Sequence, residues 1–205
     1  VGHEETGLNL LGIAVVGDML YASLNLESKV IAFNWRTGEK AREYSVPGPV
    51  GLAAEGDDKL LVVSEQRVLR LDLASGQPAS VVSEGLSRPW GVARDGTGRI
   101  YVSDCGRSMQ VKVFASDGQA AGTIGKPGGR PWVGRYDAAG MLLPANLSVD
   151  SDGKVWVPEH DSTPKRVSVW AREGKLLADF LGGGAYAVEG IADDAEPRWV
   201  NAHNT

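Results

Sequence analysis

The chain has 205 residues, 42% hydrophobic and 23% charged, with a net charge of −5. That is long enough for a sizeable core and too apolar for wholesale disorder, and the absence of any basic block argues against nucleic acid as the main partner. The single Cys105 rules out an internal disulfide or a multi-cysteine zinc cluster, and no apolar run approaches the ~18 residues of a membrane helix.

Glycine is the compositional oddity, 27 of 205 residues or about 13%, nearly twice the usual ~7%. Its placement is periodic. A Gly-apolar-Ala phrase recurs as Gly12-Ile13-Ala14, Gly51-Leu52-Ala53 and Gly91-Val92-Ala93, degrades to Asn146-Leu147-Ser148, and returns as Gly190-Ile191-Ala192. A polar turn follows each phrase, as in Asp95-Gly96-Thr97-Gly98 and Asp150-Ser151-Asp152-Gly153. Then comes a second apolar burst, centred on Tyr21, Leu61, Tyr101, Trp156 and Trp199, with steps of 40, 40, 55 and 43 residues. A third, alternating run (Val30–Phe33, Val68–Leu71, Val111–Phe114, Val167–Trp170) ends in a Gly turn, and a weaker fourth closes each unit. Short period-2 runs separated by Asp-Gly and Ser-Gly turns are antiparallel hairpins, and no window carries a helical apolar stripe.

Four strands per ~40-residue unit is the sequence signature of a propeller blade. The expected fold is therefore an all-β propeller of four-stranded antiparallel blades. Its units lie at about 11–48, 49–87, 88–128 and 141–183, with a partial fifth at 184–205. The small residues of Gly-x-Ala suit the innermost strand, where blades crowd near the axis. Trp35, Trp156, Trp170 and Trp199 are expected in the core between blades, Trp90 at a rim, and Asn146 buried.

The units resemble NHL repeats. Residues 88–128 carry the family's order of Gly-apolar-Ala, Asp-x-x-Gly, apolar-Tyr-Val-x-Asp, apolar-x-x-Phe and Asp-Gly, residues 141–183 do so nearly as well, and 11–47 and 49–87 match loosely. The resemblance implies a propeller, usually of six blades, in a family that includes protein- and RNA-binding platforms, lyases and relatives of lactonases. With four and a half units, the chain reads as a segment of a longer propeller, completed by further blades or by self-association.

Two regions stand out as sites. The long step of 55 places an insertion at 126–140, carrying Arg130, Trp132, Arg135 and Tyr136. Aromatic rings stack on sugars or apolar partners and arginine forks grip carboxylates, although a plain blade-joining loop accounts for the same residues. The second region is the ends of the second strands, where Asp104, Glu159-His160, Asn201 and His203 follow the apolar bursts, with only Asn25 and Glu65 in the first two units. The resemblance to propeller lyases implies an axial metal or acid–base site at Glu159, His160 and His203; polar strand ends bonding to turns are the simpler alternative. Glu189 precedes Gly190 as in lactonase-type propellers, on a dipeptide alone.

The leading functional expectation is a non-catalytic binding module without a cofactor, taking carbohydrate or a protein on one propeller face through Arg130, Trp132, Arg135, Tyr136, Trp90, Asp104 and Asn201. The alternative is a lyase or hydrolase assisted by a divalent metal. No Gly-x-Ser-x-Gly elbow or phosphate loop is present, and Cys105 reads as an incidental thiol. The acidic, cysteine-poor composition fits an exported bacterial protein and a cytoplasmic one alike.

Overall fold

The computed structural model describes residues 9–133, 135–160 and 165–182, and they form four sheets of four antiparallel strands. The first blade holds β1 (Leu10–Val16), β2 (Met19–Leu24), β3 (Lys29–Asn34) and β4 (Lys40–Ser45). The second holds β5 (Pro49–Glu55), β6 (Lys59–Ser64), β7 (Arg67–Asp72) and β8 (Pro78–Val82). The third holds β9 (Pro89–Arg94), β10 (Ile100–Asp104), β11 (Gln110–Phe114) and β12 (Ala120–Ile124). The fourth holds β13 (Ser148–Val149), β14 (Val155–Pro158), β15 (Lys165–Trp170) and β16 (Leu176–Gly182). Strands pair in chain order within every sheet, the arrangement of a propeller blade.

Side-chain alternation explains how the blades stack. Each strand sends successive residues to opposite faces, and here both faces of an interior blade are apolar. On β6, Leu60 and Val62 pack against the first blade while Leu61 and Val63 pack against the third. On β10, Ile100 and Val102 turn back to the second blade and Tyr101 turns forward to the fourth. Three inter-blade cores result, with no core inside any single sheet. Among the described residues nothing covers the outer face of either terminal blade, with Ile13 62% and Val15 54% exposed on one and Phe180 55% exposed on the other.

Near the axis the backbones come too close for a side chain. A Cβ on Gly12 would stand 2.3 Å from the Val50 carbonyl oxygen, one on Gly51 2.6 Å from that of Trp90, and one on Gly91 2.6 Å from the Cα of Asn146. The periodic glycines are therefore inter-blade spacers. Asn146 breaks the series. It is exposed rather than buried, and its amide donates to the Leu11 carbonyl at 3.3 Å, linking the fourth inner strand to the first. Trp170 is 2% exposed and in the core as expected, but Trp35 is 48% exposed, with Arg36 lying over its ring.

Asp95 and Asp150 show why the Asp-x-x-Gly turns recur. One carboxylate oxygen of each caps its turn, accepting the backbone N–H groups of Thr97 and Arg99 or of Asp152 and Lys154. The other oxygen accepts Tyr101 Oη at 3.0 Å or Trp156 Nε1 at 2.9 Å. Burial works against the charged Asp95, yet the hydrogen bonds from Thr97, Tyr101 and the Arg99 backbone outweigh it and hold the carboxyl below its usual range. A depressed folded-state pKa stabilises the fold above pH ~4 and ceases to do so as pH falls through the folded value. Tyr101→Phe removes a donor to the charged form, so we expect a loss of about 1.5–3 kcal/mol at pH 7 in urea unfolding, narrowing as pH falls below the ordinary carboxylate range and Asp95 protonates. An equal loss at pH 7 and below that range would contradict this account.

Candidate functional site

In every blade the inner strand begins, and the second strand ends, on the same side of the propeller. The blade-joining connections and the turns from second to third strand therefore gather on one mouth face. The four described non-glycine residues with positive φ all lie there: Ser28, Glu65 and Met109 in the turns, and Leu143 in the insertion at φ 50°. Backbone strain of this kind costs free energy and concentrates where geometry is dictated by something other than chain preference.

The insertion is stapled to the fourth blade from inside. Glu159 continues the inward alternation of Val155 and Val157, and Arg166 that of Ser168 and Trp170, so both side chains enter the space between the third and fourth blades. Glu159 accepts Arg130 Nε at 3.0 Å and Nη2 at 2.6 Å on one oxygen, and Arg166 Nη1 at 2.9 Å on the other. Arg166 also donates to the Ala138 carbonyl at 2.6 Å, and its Nε pairs with Asp179, which accepts the Tyr136 hydroxyl too. The Arg130, Glu159 and Arg166 side chains are 3%, 0% and 0% exposed. Two guanidiniums face two carboxylates, so the cluster is internally neutral, which is what makes its burial tolerable. Burial and the bond to Asp179 push the Tyr136 phenol upward, keeping it protonated.

These placements revise the expected site. Arg130 and Tyr136 belong to the buried staple, not to a ligand-gripping loop surface. Glu159 is engaged by two guanidiniums, so it is a salt-bridge hub and not an axial metal ligand. Among the described residues no group of three or more His, Cys, Asp or Glu is arranged to hold a metal ion. Asp104 is 1% exposed and clasps a loop, accepting the N–H groups of Ser87 at 2.9 Å, Arg88 at 2.8 Å and Gly106 at 2.9 Å. It is the polar strand end bonding to turns that the simpler alternative describes. Asn201, His203 and Glu189 lie outside the described residues.

What the structure does bring together is Trp90 of the third blade and His160 of the fourth, with ring centroids 5.7 Å apart. They flank a cleft of about 180 Å³ whose walls are Leu143, Pro144 and Ala145, with Arg88 and Cys105 completing it. Leu143 is pinned in its strained conformation, its carbonyl accepting the His160 N–H at 2.8 Å and its own N–H directed at Met109 Sδ at 3.4 Å. Burial raises the Cys105 thiol pKa, so it is neutral at pH 7 and a poor nucleophile. On the insertion, Trp132 (58% exposed) and Arg135 are exposed. A broader hollow of about 680 Å³ lies on the same face between the second and third blades, but Glu65, Arg67 and Glu84 line it and no aromatic ring does.

The fold and this geometry agree with known proteins. The family model of the NHL repeat matches residues 86–114, which span the cleft side of the third blade from Leu86 to Phe114. The first three strands of the third blade thus match the NHL repeat. Hydrazine synthase of Kuenenia stuttgartiensis superposes with a TM-score of 0.65 at 16% identity, over 88% of this chain and 53% of its own. Virginiamycin B lyase from Staphylococcus aureus does so at 0.62 and 12% identity, over 87% and 57%. A chain of a nidogen–laminin complex follows at 0.56 and 18% identity, over 75% and 57%. The chain thus spans little more than half of each neighbour, and likeness at such identity shows the propeller fold and nothing of the chemistry. No curated protein matches the sequence.

Sequence reasoning passed over Arg166, Met109, Leu143 and Arg107. Arg166 was detectable in principle, because a charge at an inward position of an alternating strand demands a buried partner. The strained residues carried no signal, since Leu and Met are not turn formers.

Proposed function

We propose that this NHL-type propeller segment is a non-catalytic binding module whose ligand is a carbohydrate held on the mouth face of the third and fourth blades. The observation that carries the reading is the cleft between Trp90 and His160, with Trp132 exposed on the insertion that leads into its Leu143–Ala145 wall. An indole offers a rigid apolar face for a sugar ring at little entropic cost, and neighbouring polar groups orient the hydroxyls. The cleft is smaller than a drug-sized pocket, which suits one ring of a longer chain lying across the face. Glu159, the acid–base candidate of the enzymatic alternative, is occupied in the buried staple.

A glycan array tests this. The wild-type chain should retain a subset of glycans, and Trp132→Ala and Trp90→Ala should each weaken retention by about tenfold, the loss of roughly 1.4 kcal/mol of stacking. Trp132 is exposed, so its substitution leaves the fold in place. Retention of no glycan, or retention indifferent to both substitutions, would overturn the proposal.

A further inference from the structure

The arginines of the third-blade mouth loops are unlike those of the rest of the molecule. The chain is acidic overall, and most described arginines are engaged: Arg36 with Asp18, Arg67 with Glu65, Arg70 and Arg94 with Glu55, Arg172 with Asp95, Arg42 with two backbone carbonyls, and Arg130 and Arg166 in the staple. Among the described residues four arginines have neither an ion pair nor a side-chain hydrogen bond: Arg88, Arg99, Arg107 and Arg135. Arg99 sits in the β9–β10 turn at the opposite end. The other three, all exposed, are on the mouth-side loops of the third blade.

Those three loops touch. Gly106, next to Arg107, lies against Ser87, next to Arg88, with its Cβ position 2.4 Å from Ser87 Oγ. The Ser108 carbonyl accepts the Gly128 N–H at 2.9 Å, which joins the same turn to the insertion that carries Arg135. Asp104 locks the Arg88 loop from below through three backbone hydrogen bonds. Arg88 and Arg107 therefore stand on neighbouring loops of one braced surface, Arg88 itself lining the Trp90–His160 cleft, and Arg135 extends from the insertion joined to the same turn. A guanidinium fork matches a carboxylate in two parallel hydrogen bonds, and among the described residues no carboxylate pairs with any of the three.

Resting on the binding-module reading, we propose that the ligand is a carboxylated polysaccharide, a polyuronate, with its carboxylates on Arg88, Arg107 and Arg135 and one sugar ring against Trp90 in the cleft. Three cations on a protein of net charge −5 are too few for a nucleic-acid backbone, whose binding draws on many more phosphate contacts. An acidic peptide is disfavoured because the mouth presents strand ends and no open strand edge to pair with, and the cleft admits a single ring.

The test is calorimetric titration of the whole chain with oligogalacturonate, with neutral dextran oligomers, poly-glutamate and single-stranded DNA as comparisons. Oligogalacturonate should bind, more weakly as salt rises. Arg88→Ala and Arg107→Ala should each weaken it about tenfold, with unchanged urea midpoints since neither side chain has a partner to lose. Arg88→Lys should recover only part of the affinity, because a point charge replaces a fork. Equal or tighter binding of poly-glutamate or DNA, or uronate binding indifferent to the Arg88→Ala/Arg107→Ala pair, would overturn the proposal. Dextran binding without uronate binding would overturn it too, while leaving the carbohydrate-binding reading intact; binding of no glycan at all would sink both.

Discussion

Glu159→Ala is expected to cost about 3–5 kcal/mol of stability, the largest effect of any single side-chain substitution in the fourth blade. The variant leaves Arg130 and Arg166, 3% and 0% exposed, facing each other across a space from which their shared carboxylate has gone. A buried uncompensated charge is far more expensive than the lost attraction, because neither guanidinium can neutralise by giving up its proton. Two measurements check it. The urea midpoint should fall by several tenths of its wild-type value or the chain should fail to fold, and limited proteolysis should cut within 126–140 in the variant well before the wild type. The triple change Glu159→Met, Arg130→Met, Arg166→Met removes all three charges together and should recover much of the loss. A midpoint within ~0.5 kcal/mol of wild type for Glu159→Ala would show that the staple does not hold the insertion.

Gly51→Ala is expected to destabilise by about 3 kcal/mol or somewhat more, although it adds only a methyl group. The added carbon meets the Trp90 carbonyl oxygen at 2.6 Å and the Gly91 Cα at 2.8 Å, which are backbone atoms of the next blade. Side chains can swing aside, but here a whole sheet must shift, and with it the core of Leu61, Val63, Val92 and Ile100. Gly96→Ala is the matched control, with nothing within 4 Å of its Cβ position, and should change stability by less than ~0.5 kcal/mol. Equal effects at the two positions would mean that the axial glycines are not spacers. The same clash distances bear on Asn146. A neighbour packed against it as the second blade packs against the first would collide with its side chain, so this position breaks the tight glycine spacing and sends its amide to Leu11 instead.

Much of the architecture was legible because it depends on local, repeated rules. Leu60-Leu61-Val62-Val63 reads as a strand buried on both faces, Asp95-Gly96-Thr97-Gly98 as a tight turn, and Gly12, Gly51 and Gly91 as one structural position. The site was legible only in part. Trp90 and His160, singled out separately, meet at one cleft, while Arg130 and Tyr136, from the same seven residues as Trp132 and Arg135, turned inward. Nothing in the order Arg130-Pro131-Trp132 says which of the two large side chains meets a buried carboxylate 29 positions later. Asp104 looked like an exposed strand end for a similar reason: its three partners are backbone N–H groups, which carry no sequence signature.

By itself the sequence determined the class of fold, the blade unit, its four strands and the side on which the insertion emerges. Those follow from period-2 alternation and turn chemistry, which act between residues a few positions apart. Only the tertiary structure decided which charges are paired inside the protein and which are exposed at its surface. Pairing between charges depends on distances through space between loops of different blades, so Arg130 is neutralised by Glu159 while Arg88, Arg107 and Arg135, identical in kind, are left facing outward.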